Sequence, residues 1–525
     1  MTFDISSMLK PEVYDHPVES IELIETHISW VVLTGRFAYK IKKPVNFGFL
    51  DFSTLEKRRS CCEQELHLNR RLAPAIYLDV VAISGSQDKP LISTNGEGFE
   101  YAVKMMQFPQ SAQLDHRLAA GELGVEHMGA IAFMVAEFHH AIKVADTSMD
   151  YGNKDAITQP VEENFDQITE HLDTGAFDTA LRNLREWNQL QFVKLESVFE
   201  QRKHDGFVRE CHGDMHLRNL VWLDNRPMAF DCIEFNPALR WIDVISEVAF
   251  LVMDLQDRQQ YPLANRFLNT YLEMTGDYAG LSVLPFYLCY RALVRAKVDA
   301  LRIDQKNITE GEKTKSLEEF KSYLELASGY TQPPSPKLII MHGLSASGKT
   351  TISQTLLDAM AAIRIRSDVE RKRLFDIAVM RNAANDIIAG DINGEIDAGL
   401  YSAEASQQTY TKLVELASAV IAAGYSVIVD AACLKHEQRP AFQTLADQLG
   451  VPYIILETTA PAEVLRQRIV ERKDDASDAD LGVLEQQLAN WQPLHEDEKS
   501  AVISVNTAEP LQIGSLIDKI NERGQ

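Results

Sequence analysis

A transmembrane helix needs about 18 consecutive apolar residues, and the sequence contains no apolar run of that length. Its first residues, MTFDISSMLKPEVYDHP, contain no apolar core of a signal peptide. The six cysteines of the 525-residue chain show no metal-ligand spacing, so we interpret them as reduced thiols. From these absences we expect a cytoplasmic protein without membrane contacts.

Basic charge is also scarce, and the formal net charge is −24. From Lys337 onward we count 18 basic and 27 acidic residues, which gives −9 and leaves −15 for the first 336 residues. Neither part has the basic excess expected of a protein that binds nucleic acid non-specifically. The charge balance therefore disfavours nucleic acid as a partner.

The clearest motif is Gly343-Leu-Ser-Ala-Ser-Gly-Lys-Thr350, which matches the phosphate-loop pattern G-x-x-x-x-G-K-[ST]. The apolar run in front of it predicts a buried strand, and a helix is expected to begin near Lys349. Glycine at both ends lets the backbone curl round a polyphosphate, and the start of a helix favours anions. We therefore predict a nucleoside-triphosphate site, with ATP or GTP and Mg²⁺ as cofactors. Its predicted ligands are Gly343, Ser345, Ala346, Ser347, Gly348, Lys349 on the outer phosphates, Thr350 on Mg²⁺, and Thr351.

After the phosphate loop the sequence alternates between strand and helix patterns, which predicts a parallel sheet with helices on both sides. Asp368 follows the second predicted strand, and Asp430 ends a later one. Arg468 and Arg472 lie four residues apart, on one face of a basic helix. From Lys337 to about Leu494 the sequence resembles small P-loop kinases of the polynucleotide kinase, zeta-toxin, gluconate kinase and chloramphenicol phosphotransferase group.

That resemblance implies roles for these four residues. Asp368 would accept the proton of the acceptor hydroxyl, and Asp430 would ligate Mg²⁺ directly or through water. Arg468 and Arg472 would close over the transferred phosphoryl group. Each has a plainer alternative, since Asp368 could simply cap a helix and the arginines could be solvated surface residues. Arg439 is a weaker candidate for the acceptor site.

A second constellation lies at 211–235, CHGDMHLRNLVWLDNRPMAFDCIEF, where Asp214 is followed by Asn219, two short strand patterns and Asp231. This order resembles the catalytic core of the eukaryotic-type kinase fold, in its aminoglycoside phosphotransferase and choline kinase branch. The signature there is H-G-D-x-x-x-x-N with an acid after the next hairpin. The resemblance implies that Asp214 orients the attacking hydroxyl, while Asn219 and Asp231 hold Mg²⁺ against the ATP phosphates. Asp243 resembles the acid that braces this active site, and we expect it to be structural.

The predicted strand Phe37-Ala-Tyr-Lys-Ile41 is similar to the V-A-I-K strand of the same fold. By this resemblance Lys40 contacts the ATP phosphates, and Glu65, on the following predicted helix, is its ion-pair partner. Lys42 competes with Lys40 for this role, and Glu63 competes with Glu65. No G-x-G-x-x-G loop precedes Lys40, which leaves open an N-terminal half that binds ATP without catalysis.

We therefore expect an α/β chain, longer than one hydrophobic core can organise, with two kinds of domain. An N-terminal bilobal kinase-like α+β domain would consist of a small lobe (1–108) and a large helical lobe (109–330). A proline-rich linker (331–336) would lead to a P-loop α/β domain with a parallel sheet (337–525).

Three functions follow from these expectations. The favoured hypothesis is a two-headed kinase, each head moving the γ-phosphoryl group of ATP to a hydroxyl of a small-molecule acceptor. The first alternative is a regulatory protein in which one head binds nucleotide without transferring phosphate. In the second alternative the P-loop head acts on a nucleic-acid 5′-hydroxyl, which the acidic charge disfavours because a groove that follows a nucleic-acid strand is basic.

Overall fold

The computed structural model describes residues 3–46, 50–93, 96–173, 175–305, 308–332, 335–375, 379–381, 387–389, 402–471 and 481–523. The chain divides into two units, each assembled from three segments. The first unit comprises Met1–Leu123, Glu137–Pro160 and Glu196–Leu251, and the second comprises Gly124–Ala136, Val161–Leu195 and Val252–Gln525.

The described strands and helices are numbered in chain order. The strands are β1 (Glu22–Glu25), β2 (Ser29–Leu33), β3 (Phe37–Lys42), β4 (Tyr77–Ser86), β5 (Lys89–Ser93), β6 (Glu100–Met106), β7 (Val208–Glu210), β8 (Leu220–Leu223), β9 (Arg226–Ala229), β10 (Trp241–Asp243), β11 (Leu338–His342), β12 (Ala362–Arg366), β13 (Val379–Arg381), β14 (Ile387–Ala389), β15 (Ser426–Asp430), β16 (Tyr453–Thr459) and β17 (Val502–Asn506). The helices are α1 (Leu55–Asn69), α2 (Leu114–Ala119), α3 (Val125–Ala141), α4 (Lys154–His171), α5 (Asp178–His204), α6 (Val244–Asp257), α7 (Tyr261–Thr275), α8 (Leu284–Ile303), α9 (Glu310–Gly329), α10 (Lys349–Ala359), α11 (Ser367–Leu374), α12 (Ala403–Ala422), α13 (Pro440–Leu449), α14 (Ala462–Glu471), α15 (Leu481–Ala489) and α16 (Ile513–Glu522).

The first unit is built on a six-stranded antiparallel sheet in the order β1-β2-β3-β6-β4-β5. Alternation along β3 places Tyr39 and Ile41 in one hydrophobic core, while Lys40 and Lys42 lie on the opposite face. Helix α1, capped by the side chain of Thr54, packs against β4 and β6. The lysines of β3 and the acids of α1 are thereby brought within reach of each other.

Two short antiparallel strand pairs complete the part of the first unit that carries the predicted catalytic loop. Strands β8 and β9 pair antiparallel around Asp224 and Asn225, which have φ angles of 50° and 58°. Left-handed conformations at both central residues are typical of a tight hairpin turn, and Asp and Asn tolerate them. Strands β7 and β10 also pair antiparallel, on either side of this segment in the sequence.

The second unit contains a five-stranded parallel sheet in the order β12-β15-β11-β16-β17. All residues of β11, β12 and β15 are buried, as is usual for a parallel sheet covered on both faces. The phosphate loop follows β11, the central strand. The predicted fold class is confirmed, with an α+β N-terminal part and a parallel sheet in the C-terminal part. Among the described residues, no helix combines the length and hydrophobicity needed to span a bilayer.

Helix α7 lies against β12, which among the described strands pairs with β15 alone and so has an open edge. The Asn269 side chain bonds to that edge like a neighbouring strand: Nδ2 donates to the oxygen of Ala362 at 3.0 Å, and Oδ1 accepts from the N–H of Arg364 at 2.8 Å. A helix that precedes the predicted linker at 331–336 thus belongs to the same unit as the P-loop sheet.

We predict that Asn269→Ala lowers the stability of the second unit, because it leaves a buried N–H and a buried carbonyl without partners. The expected loss is about 1–3 kcal/mol for each such group. Urea unfolding would measure it, and hydrogen exchange at 362–366 would become faster. Asn265→Ala is the matched control, since Asn265 makes one 3.3 Å bond to Met360 on the same helix face. Equal effects of the two changes would contradict this account of the edge.

Candidate functional site

A buried network of charges joins β3 to α1 and to the segment after β9. The Nζ atom of Lys40 lies 2.8 Å from Oε1 of Glu65 and also contacts Asp231. Lys42 lies 2.5 Å from Oε2 of Glu65 and contacts Glu234. Lys42 and Glu65 are fully buried, whereas the side chain of Asp231 is 45% exposed. Of the two competing lysines, Lys40 is therefore the one that lies beside the exposed acid.

Burial and neighbouring charge compete in setting the ionisation of this network. Burial alone raises the pKa of a carboxyl, but the ammonium groups of Lys40 and Lys42 outweigh it and lower the pKa of Glu65 to about 2. For Glu234 burial prevails and raises the pKa above its usual value, although Lys42 opposes this. Glu63, the other candidate partner, is exposed and pairs with Arg59 at 2.9 Å.

The loop after β7 brings Asp214 and Asn219 together. The Nδ2 atom of Asn219 donates to Oδ2 of Asp214 at 2.8 Å and to its backbone oxygen at 3.0 Å. The Nε2 atom of His216 lies 3.4 Å from the same Oδ2. Because Asn219 donates through nitrogen, its Oδ1, an oxygen donor of the kind Mg²⁺ prefers, takes no part in these bonds. The side chain of Asp214 is partly exposed, which is compatible with its predicted role as the base.

Hydrogen bonds hold the segment of Asp231 against this loop. The N–H of Phe230 donates to the oxygen of Asn219 at 3.0 Å, and Nε2 of His212 lies 3.0 Å from the oxygen of Phe230. The N–H of Asp231 donates to the hydroxyl of Tyr77 at 3.1 Å. Asp231 has a φ angle of 64°, a left-handed conformation that few residues other than Gly, Asn and Asp adopt. The segment of Asp231 is therefore bonded to the loop that carries Asp214 and Asn219.

Glu247, which the sequence analysis did not identify, accepts hydrogen bonds from the backbone of the same loop. Its Oε1 accepts from the N–H groups of His212 at 2.6 Å and Gly213 at 2.7 Å, and its Oε2 lies 2.9 Å from Nε2 of His139. Burial opposes the charge on Glu247, but the hydrogen bond and charge of His139 keep its pKa below the usual value. Burial also lowers the pKa of His212, which fits a neutral ring that supports the loop.

Asp243, which we expected to be structural, is buried, pairs with Arg202 at 2.7 and 2.9 Å and accepts from the N–H of Ile245. The acid that bonds to the loop of Asp214 is Glu247, four residues later, and the sequence pattern does not decide which of the two faces the loop. Among the described residues, His139, Cys211 and Glu247 also form the one group whose potential metal ligands lie within 4.8 Å of one another. Both oxygens of Glu247 already accept hydrogen bonds, so we interpret this group as structural.

The phosphate loop of the second unit has the backbone geometry its glycines allow. Gly343 and Gly348 have φ angles of 151° and 89°. A Cβ atom on Gly343 would lie 2.5 Å from the backbone oxygen of Thr458, so this position requires glycine. The Nζ atom of Lys349 donates to two backbone oxygens of the loop, both at 2.9 Å. The remaining predicted ligands lie on the loop and the first turn of α10: Ser345, Ala346, Ser347, Thr350 and Thr351.

The two predicted acids of this unit lie at the carboxyl ends of neighbouring strands. Asp430 ends β15, which lies beside β11, and its Oδ2 accepts from the hydroxyl of Ser353 at 2.9 Å. Asp368 lies just after β12, where Arg366 is in register with Asp430. The carboxyl ends of parallel strands meet at one edge of a sheet, where ligands bind. Both acids therefore lie at the edge from which the phosphate loop projects.

Arg468 contacts the phosphate loop directly. Its Nη1 donates to the oxygen of Ala346 at 3.2 Å and to Oγ1 of Thr507 at 2.9 Å, and its Nη2 donates to the oxygen of Thr507 at 2.7 Å. It is thus not the solvated surface arginine of the plainer alternative. Arg472 lies outside the described residues.

Arg439, the weaker acceptor-site candidate, is buried and committed to Glu498. Its Nε and Nη2 atoms donate to the two carboxylate oxygens of Glu498 at 2.6 and 2.8 Å. Burial opposes ionisation, but these bonds prevail and lower the pKa of Glu498 to about 2. A guanidinium held in this way is structural, so the acceptor-site interpretation of Arg439 is wrong.

A contact at the phosphate loop that the sequence did not indicate comes from α15. The Oε1 atom of Gln487 accepts from the N–H of Ser345 at 2.8 Å, and the ring of Trp491 lies 5.2 Å from that of His342. Gln487 and Ser345 are 142 residues apart, and no motif around Gln487 signals the contact.

Comparison with known proteins assigns the chain to a family. A family model described as AAA domain matches residues 338–494, a range that contains the phosphate loop, Asp368 and Asp430. The curated relative "Uncharacterized protein Rv2004c" of Mycobacterium tuberculosis is 30% identical over 487 residues, 91% of this chain and 93% of the relative. The chain belongs to the Rv2004c family. The match covers parts of both units.

Two solved structures are similar to different parts of this chain. A choline/ethanolamine kinase family protein from Mesorhizobium loti is 8% identical and covers 60% of this chain and 94% of its own, with a TM-score of 0.37. The APS kinase CysC of Mycobacterium tuberculosis, in complex with AMPPNP and APS, is 17% identical and covers 36% and 98%, with a TM-score of 0.24. The AAA domain match and the parallel sheet confirm the predicted P-loop fold of the C-terminal part.

We predict that Lys42→Met destabilises the first unit in a pH-dependent way. Removing one partner of a buried ion pair costs about 3–5 kcal/mol. The change leaves Glu65 and Glu234 facing each other and raises the already elevated pKa of Glu234 further. A carboxyl whose pKa is higher in the folded state than in the unfolded state stabilises the fold at a pH below its unfolded-state pKa. This stabilisation is lost as the pH rises through the folded-state pKa. The loss of unfolding free energy should therefore be larger at pH 8 than at pH 5.

The control is Lys57→Met, which removes an exposed lysine paired with Asp51. This change should cost less than about 1 kcal/mol at either pH. Urea unfolding at both pH values measures the two variants. A loss for Lys42→Met that does not change with pH would contradict a shared buried charge.

Proposed function

We propose that the chain is an ATP-dependent phosphotransferase with two heads, each of which moves a γ-phosphoryl group to the hydroxyl of a small-molecule acceptor. The observation that supports the proposal is the series of contacts that links Lys40, Asp231, Asn219 and Asp214 in the first unit, together with the phosphate loop in the second. In the proposal each head binds a triphosphate and has an acid that faces the incoming hydroxyl.

In the first head, Lys40 would bind the ATP phosphates, and Glu65 would fix its direction. Asp214 would accept the proton of the acceptor hydroxyl, whose oxygen then forms a bond to the γ-phosphorus. The bond from that phosphorus to the β–γ bridging oxygen breaks, and ADP leaves with the electron pair. Oδ1 of Asn219 and the exposed carboxylate of Asp231 offer oxygen ligands that fit Mg²⁺, which when bound neutralises phosphate charge.

In the second head, backbone N–H groups of the phosphate loop would bind the triphosphate while Lys349 contacts its outer phosphates. Asp368 would take the acceptor proton in the same balanced displacement. Thr350 and Asp430 offer the oxygen atoms that would hold Mg²⁺, directly or through water. Arg468, already on the phosphate loop, would act at the nucleotide side of that site.

The acceptors of both heads are, in this proposal, small molecules and not nucleic acid. The net charge of −24 is shared by both parts of the chain, and a strand of nucleic acid would be repelled by such a surface. We place the activity in the cytoplasm, where ATP is available.

For the first head we predict that Asp214→Asn abolishes one set of products. The assay is transfer of ³²P from labelled ATP into a fractionated mixture of metabolites and aminoglycosides. Losing the general base should lower that transfer by about 100-fold or more. Asp224→Asn, in the nearby β8–β9 turn, should leave it unchanged. If no product depends on Asp214 although the variant and the parent bind ATP, the first head is the regulatory module of the alternative hypothesis.

For the second head we predict that Lys349→Ala abolishes a different set of products in the same assay. Removing a cation that stabilises developing phosphate charge should lower their formation by about 100-fold or more. Lys435→Ala, which removes an exposed lysine, serves as the control. If the same products were lost in Asp214→Asn and also in Lys349→Ala, the result would contradict two independent heads.

A further inference from the structure

Glu273, near the end of α7, is bound to the strand that leads to Asp368. Its Oε1 accepts from Nε of Arg364 at 2.9 Å and lies 2.7 Å from Nη2 of the same arginine. Its Oε2 lies 3.9 Å from Nη1 of Arg366. Glu273 and Arg364 have side chains only 3% and 5% exposed. An ion pair so shielded from water has a defined geometry and is weakly screened by salt.

The same residue also holds the helix on which Asp368 lies. The backbone oxygen of Glu273 accepts from Nη2 of Arg373 at 2.6 Å, and Arg373 forms an ion pair with Glu370. A Cβ on Gly276 would lie 2.9 Å from Nε of Arg373, so the turn after α7 fits closely round this arginine. Strand β12, which precedes Asp368, and helix α11, which contains it, are thus both bonded to Glu273 at the end of α7.

Phosphoryl transfer depends on where the acceptor-side base lies relative to the triphosphate. A displacement of about 1 Å at such a group can cost about 100-fold in rate. The triphosphate would sit on the loop after β11, and β15 separates that strand from β12. The contacts that hold β12 and α11 in place therefore help to set the distance between Asp368 and the phosphate loop.

We propose that Glu273 is a positioning residue of the P-loop head, whose side chain acts on Asp368 through its ion pair with Arg364. The proposal rests on the function proposed above for that head. It means that the P-loop head is completed by α7, a helix that precedes the proline-containing segment in the sequence. The two heads then share one chain because the acceptor side of the second is built partly from sequence that belongs to the predicted large lobe of the first.

The experiment uses the full chain carrying Asp214→Asn, so that turnover comes from the P-loop head. The probe is ATP with Mg²⁺, with water in the place of the acceptor hydroxyl. Glu273→Gln should lower kcat by about 10-fold or more while the KM for ATP changes by less than about 3-fold, because β11 and its loop are untouched. Glu273→Asp, which keeps the charge on a shorter side chain, should fall between Glu273→Gln and the parent.

Arg266→Gln is the matched control on the same helix. Arg266 binds Asp358 through two bonds of 2.9 and 2.5 Å, away from Asp368. This change should lower the melting temperature by several degrees, as Glu273→Gln should also do, but should leave kcat within about 2-fold. If Glu273 had a purely structural role, the two variants would lower kcat equally when they lower the melting temperature equally.

Three results would overturn the proposal. One is an unchanged kcat in Glu273→Gln, or in Glu273→Asp if the first variant does not fold. Another is an equal fall of kcat in Glu273→Gln and Arg266→Gln. The third is ATP turnover that does not fall when Lys349→Ala is added, which shows instead that the proposed function of this head is wrong.

Discussion

The ion pair between Lys40 and Glu65 is the interaction on which the first site depends. In the proposed function Lys40 presents its charge to a triphosphate, and Glu65 holds its long side chain from a fully buried position. Burying Glu65 would by itself favour the neutral acid, and Lys42 supplies the second positive charge that keeps it ionised. Glu234 then balances Lys42. A chain of compensating charges thus runs from the buried side of the sheet to the exposed Asp231.

The second site follows a different physical rule, in which backbone geometry takes the place of paired side chains. Two glycines with left-handed backbone let the loop close, and a parallel sheet brings the acids of neighbouring strands to the same edge. Among the described strands, β12, which leads to the predicted acceptor base, is an edge strand of this sheet and so lacks a neighbouring strand on one side. Asn269 covers that edge and Glu273 fixes its arginine, so that an adjoining helix provides the rigidity that an additional strand would otherwise give.

The local parts of this architecture could be predicted from sequence, whereas the contacts between distant segments could not. The phosphate loop, the strand of Lys40 and the trio of Asp214, Asn219 and Asp231 are short motifs whose spacing reflects chemistry. By contrast, Lys42 and Lys40 lie on the same face of β3, and only the packing of α1 decides which is enclosed. Glu247, Glu273 and Gln487 act across the fold on residues far away in sequence, and their local surroundings resemble those of any helix. Strand β17, the fifth of the parallel sheet, is short and partly exposed and so lacks a strong apolar pattern.

The central claim, two separate triphosphate sites on one chain, is tested most directly by the stoichiometry of nucleotide binding. Equilibrium dialysis of the full chain with a non-hydrolysable ATP analogue and Mg²⁺ counts the sites without knowledge of either acceptor. The account predicts two analogue molecules per chain, one of which is lost in Lys40→Ala and the other in Lys349→Ala. A single bound molecule, lost in Lys349→Ala and unaffected by Lys40→Ala, would contradict it.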